Sequence, residues 1–211
     1  MAVFKNRVEA GKKLAEILES FRGTDAIVLG LPRGGVIVAK EIAHALNLPL
    51  DIIVTRKIGA PDNEEYAIGA IDLDGDGIWN EYEVSFVDKQ WLAEKVAQEK
   101  AEAKRRQTLY RHGRSPLNLS KKIVIIVDDG IATGHTIHAA LRYAKKQGAK
   151  KIIIATPVAH PLVKSDLEET VEVYTLETPP VFSSVGQWYK DFPQVEDDEV
   201  IKALAPTPIV T

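Results

Sequence analysis

Apolar runs of strand length alternate with helical patterns along most of this 211-residue chain, and this alternation strongly limits its possible folds. The run 26–29 precedes a glycine-rich turn, a helical pattern and a second apolar run at 50–54. A similar unit begins at 123–127 and ends in the run 151–158. Crossover helices make such strands parallel and cover both faces of their sheet. The sequence therefore predicts an α/β fold with a mainly parallel, doubly wound sheet, in which ligands bind beyond the carboxyl ends of the strands.

No long Gly, Pro or Ser linker interrupts this pattern, so we expect a single domain over 1–211. Its parts are a core at about 24–158, a β-hairpin insertion with a charged helix at 67–114, and a possible small C-terminal hood at 159–211. The hairpin strands are expected at 67–71 and 82–87.

Composition excludes several kinds of protein. The formal net charge of -3 disfavours a nucleic-acid coat, and the basic residues of the 88–114 helix are interleaved with acids, as in a solvated helix. With no cysteine, disulfides and thiolate chemistry are excluded. No apolar stretch has the length of a membrane span or a secretory leader, so we expect a cytoplasmic protein without membrane association.

The strongest local signal is the strand 123–127 followed by two acids, Asp128 and Asp129, and the turn Thr133–Thr136. Backbone N–H groups at a helix start bind phosphate well, and the threonine hydroxyls add donors. Adjacent carboxylates would repel that phosphate but accept hydrogen bonds from neutral sugar hydroxyls. The segment therefore predicts a sugar-phosphate site.

This segment resembles the 5-phosphoribosyl 1-pyrophosphate (PRPP) motif of the type I phosphoribosyltransferases. The resemblance implies that Asp128 and Asp129 hold the ribose 2′- and 3′-hydroxyls. The residues implied for the 5′-phosphate are Ala132, Thr133, Gly134, His135 and Thr136. A decorated strand–helix connection is the alternative, but a buried strand rarely ends in two acids without a ligand.

Two further segments support the resemblance. Arg33, Gly34 and Gly35 look like the family's pyrophosphate loop, in which glycines let backbone amides approach an anion. Arg56 and Lys57 resemble the basic start of the flexible catalytic loop of orotate and adenine phosphoribosyltransferases, which we expect to close near 57–66. The implied reaction is displacement of pyrophosphate by a nitrogen nucleophile, with Mg²⁺ on the pyrophosphate. The implied catalytic residues are Arg56, Lys57, Asp128 and Asp129.

The acceptor is less defined than PRPP. Family members that use 6-oxopurines commonly have an aspartate where this chain has Ala132, which argues against hypoxanthine and guanine. Candidate acceptor contacts, which could equally be core or dimer contacts, are Val158, His160, Trp188 and Tyr189. The segments VTRKIGAP, AIGAI and VGQWYKDF look like a group of predicted phosphoribosyltransferases whose acceptor is unassigned.

A second motif lies in the expected hairpin. Residues 72–83 satisfy the EF-hand calcium-loop template, including glycine at the sixth position and glutamate at the twelfth. The template assigns as ligands Asp72, Asp74, Asp76, Ile78, Asn80 and Glu83. The flanking segments read as strands rather than helices, and an Asp/Gly-rich turn is also what a hairpin needs. A structural Ca²⁺ site and a plain turn therefore both stay open.

The sequence leaves two functions to distinguish. One is a Mg²⁺-dependent transferase of nucleotide salvage type, a homodimer by family resemblance, that transfers phosphoribose from PRPP to a small nitrogen acceptor. The other is a PRPP-binding sensor or regulator without catalysis. The intact Arg56-Lys57 segment favours the enzyme, because a sensor needs phosphate and diol contacts but no closing loop.

Overall fold

The computed structural model describes residues 3–205, with the side chain of residue 65 excepted. A five-stranded parallel sheet forms the centre, in the order β2-β1-β6-β7-β8. Its strands are β1 (Ile27–Gly30), β2 (Leu50–Ile52), β6 (Ile123–Val127), β7 (Lys151–Val158) and β8 (Glu172–Glu177). A separate three-stranded antiparallel sheet contains β3 (Arg56–Ala60), β4 (Asn63–Ile71) and β5 (Gly77–Trp79). The predicted α/β fold with a mainly parallel sheet is confirmed.

Seven α-helices lie in the described part of the chain. They are α1 (Arg7–Ile17), α2 (Gly34–Leu46), α3 (Glu81–Val84), α4 (Lys89–Arg111), α5 (His135–Lys146), α6 (Pro161–Glu168) and α7 (Asp197–Leu204). Within residues 3–205, no helix is both long enough and apolar enough to cross a membrane.

Alternating side chains of the central strands pack against helices on both faces of the parallel sheet. Val28, Ile125 and Ile153 contribute to one core, which also contains residues of α1 and α2. Leu29 and Ile126 contribute to the opposite core with residues of α5. Because successive strand residues point to opposite faces, a nearly continuous apolar run is needed where both faces are buried.

Local signals begin and end several helices. The Asn6 side chain accepts a hydrogen bond from the Glu9 N–H at the start of α1. Asn47 ends α2 in the left-handed conformation, with φ of 53°. Asp88 caps α4 by accepting from the Trp91 N–H. These caps set the residues at which α1 and α4 begin and α2 ends.

The hairpin insertion differs from expectation in its second strand. The segment 82–87 was expected to be a strand, and this is wrong, because α3 occupies 81–84 and the third strand is β5. Asn80 starts α3 by accepting the Glu83 N–H, and Trp79 packs on Gly69, where a Cβ would lie 2.4 Å from its ring. The hairpin turn is therefore shorter than predicted, and it contains residues 72–76.

The predicted hood region begins with core elements, since β8 pairs with β7 as the fifth strand of the parallel sheet. The 178–196 segment then runs beside the start of α1, where the N–H groups of Val3 and Phe4 donate to the Trp188 carbonyl. α7 packs against α2 and α4, and the Tyr110 hydroxyl donates to Asp197 at 2.6 Å. Residues 206–211 of the predicted hood lie outside the described residues.

Candidate active site

Two adjacent carboxylates lie at the carboxyl end of the central strand β6. The backbone holds this edge firmly, because the Leu31 N–H donates to the Val127 carbonyl at 2.9 Å and the Asp128 N–H to the Ala155 carbonyl at 3.3 Å. The Asp128 Oδ1 also accepts the Asp129 N–H at 2.9 Å. Both side chains are partly buried at the sheet edge where parallel α/β folds bind ligands.

The Gly34-Gly35 turn allows the N-terminus of α2 to approach these acids. A Cβ on Gly34 would lie 1.9 Å from the Asp129 Oδ2, and one on Gly35 would lie 2.7 Å from the Val127 carbonyl oxygen and 2.8 Å from the Asp128 Cα. Such distances are shorter than any real Cβ contact. The glycines are therefore required for this close packing, and the anion contact at the same turn stays a prediction.

We expect Gly35→Ala to lower the free energy of unfolding by about 1–3 kcal/mol, since the added methyl meets backbone atoms that cannot rotate away. PRPP affinity should fall with it. Chemical denaturation and a PRPP titration check this. Gly186→Ala is the matched control, because its Cβ would meet the Phe192 ring at 3.1 Å rather than backbone. Equal stability losses in the two variants would contradict the close-approach explanation.

Arg7 of α1 is a site residue that the sequence analysis missed. Its Nε donates to the Asp129 Oδ2 at 2.6 Å, and its Nη1 donates to the Pro193 carbonyl at 2.8 Å. The guanidinium also lies 3.7 Å from the centroid of the Phe192 ring. Arg7 thus joins the start of the described chain, the acid pair and the 178–196 segment.

The two acids differ in their electrostatic surroundings. Burial raises the pKa of Asp128 well above its usual value, and the Asp129 charge raises it further. Burial also raises the pKa of Asp129, but the Arg7 guanidinium opposes that shift. Asp129 therefore has a cation of its own, whereas Asp128 has a carboxylate that a bound cation or a hydroxyl donor would stabilise.

The predicted phosphate loop lies directly after the acids. Gly134 has φ of 78° and precedes the first turn of α5, which begins with His135 and Thr136. No side chain among the described residues caps this helix start, so its amides remain open to an anion. Ala132 and Thr133 are exposed, as expected for residues that face a ligand.

His135 contributes a buried nitrogen to the same loop. Its Nδ1 has no partner within the described part of the chain. Burial and the nearby His138 lower the pKa of His135, which favours its neutral form. The ring can therefore donate or accept a hydrogen bond without adding positive charge to the loop.

The three predicted cations lie on two elements, with Arg33 at the start of α2 and with Arg56 and Lys57 in β3. Arg33 pairs loosely with Glu196 at 3.4 Å and Asp197 at 3.8 Å, at the start of α7. Arg56 donates to Glu99 of α4 at 2.7 Å. Lys57 follows Arg56 in β3, so its side chain leaves the opposite face of the hairpin. The predicted closing loop, 57–66, is the β3–β4 hairpin itself.

The candidate acceptor residues divide into two groups. Val158 is buried in the apolar cluster around Phe4, and Tyr189 donates its hydroxyl to the Asp129 carbonyl at 2.5 Å. His160 and Trp188 instead flank the Phe182 ring, with centroid distances of 5.8 and 6.4 Å. The His160 Nδ1 also caps α6 by accepting the Leu162 N–H at 3.3 Å.

The predicted calcium loop is only partly assembled. Asp72, Asp74 and Asp76 offer carboxylate oxygens that all lie within 4.8 Å of one another. The remaining three residues are placed elsewhere. Ile78 pairs with Ala70 in the β4–β5 ladder, Asn80 caps α3, and Glu83 accepts the Tyr66 hydroxyl at 2.9 Å.

Comparison with known proteins shows the family of this chain. The family model of the phosphoribosyl transferase domain matches residues 5–185. The chain therefore belongs to the phosphoribosyl transferase domain family. This confirms the family recognised from the acid pair and its flanking loops.

Individual relatives extend the comparison. Two Mycobacterium tuberculosis proteins, MT0597 of strain CDC 1551 and Rv0571c of strain H37Rv, are provisionally named phosphoribosyl transferases. Each is 42% identical over 207 residues, covering 97% of this chain and 47% of the relative, so the chain spans about half the length of these relatives.

Solved structures give the same picture of the fold. TT1426 from Thermus thermophilus is 37% identical, with a TM-score of 0.81 over 97% of this chain and 98% of its own. A hypothetical protein from Neisseria gonorrhoeae, solved with bound ppGpp, shares the fold at 16% identity and a TM-score of 0.52, over 97% of this chain and 96% of its own.

Proposed function

We propose that the chain transfers the 5-phosphoribosyl group of PRPP to a nitrogen acceptor and releases pyrophosphate. The main support for this proposal is the position of the two acids. Asp128 and Asp129 lie at a parallel strand end, directly between the glycine-opened start of α2 and the uncapped start of α5. A diol acceptor flanked by two anion sites matches a ribose with a phosphate at one end and a pyrophosphate at the other.

In this mechanism Asp128 accepts hydrogen bonds from the ribose hydroxyls, and Asp129, held by Arg7, completes the diol site. The amides and hydroxyls of Thr133–Thr136 hold the 5′-phosphate. Arg33 and the start of α2 bind the pyrophosphate, whose negative charge grows as the bond to C1 breaks. The carboxylates lie near the sugar, where positive charge develops.

A magnesium ion fits this donor set. Mg²⁺ prefers oxygen ligands and usually binds one or two carboxylates together with substrate phosphates. Arg7 donates to Asp129 and acts on Asp128 through its charge alone. Burial raises the pKa of Asp128, so a further cation next to its carboxylate would stabilise the ionised form. Asp128 would hold the ion, which when bound stabilises charge on the leaving pyrophosphate.

We propose that the β3–β4 hairpin closes over the site. Lys57 is the hairpin residue that we expect to contribute most to turnover. We expect Lys57→Ala to lower kcat by about 100-fold, as for loss of one charge-stabilising donor. PRPP affinity should change by less than about threefold, because the loop acts mainly in the closed transition state. Steady-state kinetics and a PRPP titration check this against Lys12→Ala, a variant of an exposed lysine on α1. Equal losses in kcat and affinity would make Lys57 a simple binding residue.

The acceptor is proposed to be a planar nucleobase that stacks near His160, Phe182 and Trp188, whose rings form one partly exposed row. Alanine at position 132, just before Thr133, cannot act as a general base. The acceptor nitrogen must therefore react without losing a proton to a base, or another group must accept that proton. We further propose a homodimer, as the family resemblance implies.

A PRPP-binding regulator without catalysis is the second candidate. The observation that favours it is the engagement of Arg33 and Arg56 with acids outside the acid pair. A protein that only binds PRPP needs no free cations for the leaving group. In the enzyme, closure of the hairpin and binding of pyrophosphate would release these contacts.

Pyrophosphate release distinguishes the two functions. PRPP and Mg²⁺ are incubated with adenine, hypoxanthine, guanine, xanthine, uracil or orotate, with a no-acceptor reaction and Asp128→Asn as controls. Release with one base, absent in both controls, would support the transferase and identify its acceptor. Tight PRPP binding without acceptor-dependent release would instead favour the regulator.

A further inference from the structure

The turn between β4 and β5 gathers three carboxylates that the proposed transfer reaction does not use. Asp72, Asp74 and Asp76 each offer an oxygen, and these oxygens all lie within 4.8 Å of one another. Carboxylate oxygens are hard donors, which suit Ca²⁺ and Mg²⁺ rather than soft metals.

Asp72 supplies the first sign of a missing ligand. The residue is 0% exposed, and its Oδ1 accepts the N–H groups of Asp74 at 2.9 Å and Asp76 at 3.0 Å. Its Oδ2 is buried without a hydrogen-bond partner among residues 3–205. A buried carboxylate oxygen without a partner is costly. A cation bound to the Asp72 Oδ2 would therefore satisfy an atom that residues 3–205 leave unsatisfied.

A lysine ammonium already bridges the other two carboxylates. The Lys146 Nζ lies 2.6 Å from the Asp74 Oδ2 and 2.9 Å from the Asp76 Oδ2. The Lys146 side chain is 46% exposed at the end of α5, so it can turn into solvent at little cost. The ammonium thus occupies a place between two carboxylates that a metal ion could take.

We propose that Asp72, Asp74 and Asp76 form a site for a Ca²⁺-type divalent cation, which binds by displacing the Lys146 ammonium. The site uses only the first three positions of the calcium-loop motif, because Ile78, Asn80 and Glu83 are engaged elsewhere. With three protein carboxylates and water as the remaining ligands, the dissociation constant should be about 10⁻⁴ to 10⁻³ M.

The rival explanation is that Asp74 and Asp76 serve only as ion-pair partners of Lys146. The two explanations predict different results for the wild-type chain, which binds Ca²⁺ at this turn only if the ion displaces the Lys146 ammonium. They differ again in Lys146→Met, where loss of the competing ammonium should tighten Ca²⁺ binding about tenfold. Asp76→Asn, at a half-buried position, should weaken binding by about tenfold or more.

Calorimetric titration of the full chain with CaCl₂ to about 10 mM, without PRPP, tests the site. The matched controls are Lys145→Met, on the same helix turn, and Asp128→Asn, which removes the carboxylate of the other acidic site. The proposal is supported by wild-type binding that tightens in Lys146→Met, weakens in Asp76→Asn and is unchanged in both controls.

Three results would overturn it. These are no wild-type heat up to that concentration, binding that Asp128→Asn removes, or binding that Asp76→Asn leaves unchanged. Circular dichroism of each variant confirms folding, and Asp74→Asn repeats the test if Asp76→Asn does not fold. The outcome does not depend on transferase activity, because neither PRPP nor an acceptor is present.

Discussion

Asp128→Asn is expected to lower kcat/KM for PRPP by roughly 100-fold, which corresponds to about 3 kcal/mol of lost transition-state binding. The hydrogen bond of Arg7 goes to Asp129, so the Asp128 oxygens are not bound by that guanidinium. A carboxamide in place of the Asp128 carboxylate therefore removes the strongest available acceptor for the ribose hydroxyls. Asp129 cannot compensate, because Arg7 already holds one of its oxygens. Kinetics at varied PRPP and a binding titration measure the loss.

The same substitution should leave the fold intact and change how stability depends on pH. A carboxyl whose pKa is raised on folding binds its proton more tightly in the native state, so stability falls as pH rises from the unfolded pKa through the folded one. Asparagine cannot ionise, so the Asp128→Asn variant does not lose stability in this way as pH rises. We therefore expect Asp128→Asn to gain stability relative to wild type as pH rises. Unchanged PRPP kinetics would refute the assignment of Asp128 to the diol.

Arg7→Met is expected to lower the free energy of unfolding by about 3 kcal/mol, the largest stability effect we predict. The substitution leaves the Asp129 carboxylate partly buried without its cation and leaves the Pro193 carbonyl without its donor. Urea denaturation measures the loss. PRPP affinity should fall as well, because Asp129 loses the contact that orients it.

A double-mutant cycle separates the ion pair from general packing. Arg7→Met with Asp129→Asn should recover part of the loss, giving a coupling energy of about 1–3 kcal/mol, since neutral partners need no counterion. Arg22→Met is the matched control. It removes an exposed ion pair between Arg22 and Glu19, whose side chains are 50% and 59% exposed respectively, and should cost far less than Arg7→Met because solvent screens the pair. Equal losses at positions 7 and 22 would show that burial does not strengthen the Arg7 pair.

Much of the fold could be predicted because its signals are local. The uninterrupted apolar run at 123–127 indicates a strand that is buried on both faces of the sheet, and the adjacent acids follow its carboxyl end. Asn47 and Gly134 are residue types that favour left-handed backbone, and both adopt it here. The PRPP motif is likewise continuous in sequence, so the residues that it predicts lie together in the fold.

Contacts between distant segments could not be predicted. Arg7 and Asp129 are 122 residues apart, and an arginine on an N-terminal helix looks like a solvated charge until the helix is placed over the sheet. The strand expected at 82–87 failed for a different reason. Tyr82 and Phe86 within it are 72% and 73% exposed, and the Asn80 cap starts a helix instead.

The contacts of Asp129 determine how much of the chain the acid pair needs. This residue is held by Arg7 from the start of the described chain and by Tyr189 near its end, with Pro193 beside them. A fragment limited to 24–158 would keep every recognised PRPP motif and still lose the cation that neutralises Asp129. During synthesis the acid pair is therefore completed late, only after residues 189–193 have left the ribosome and packed against α1.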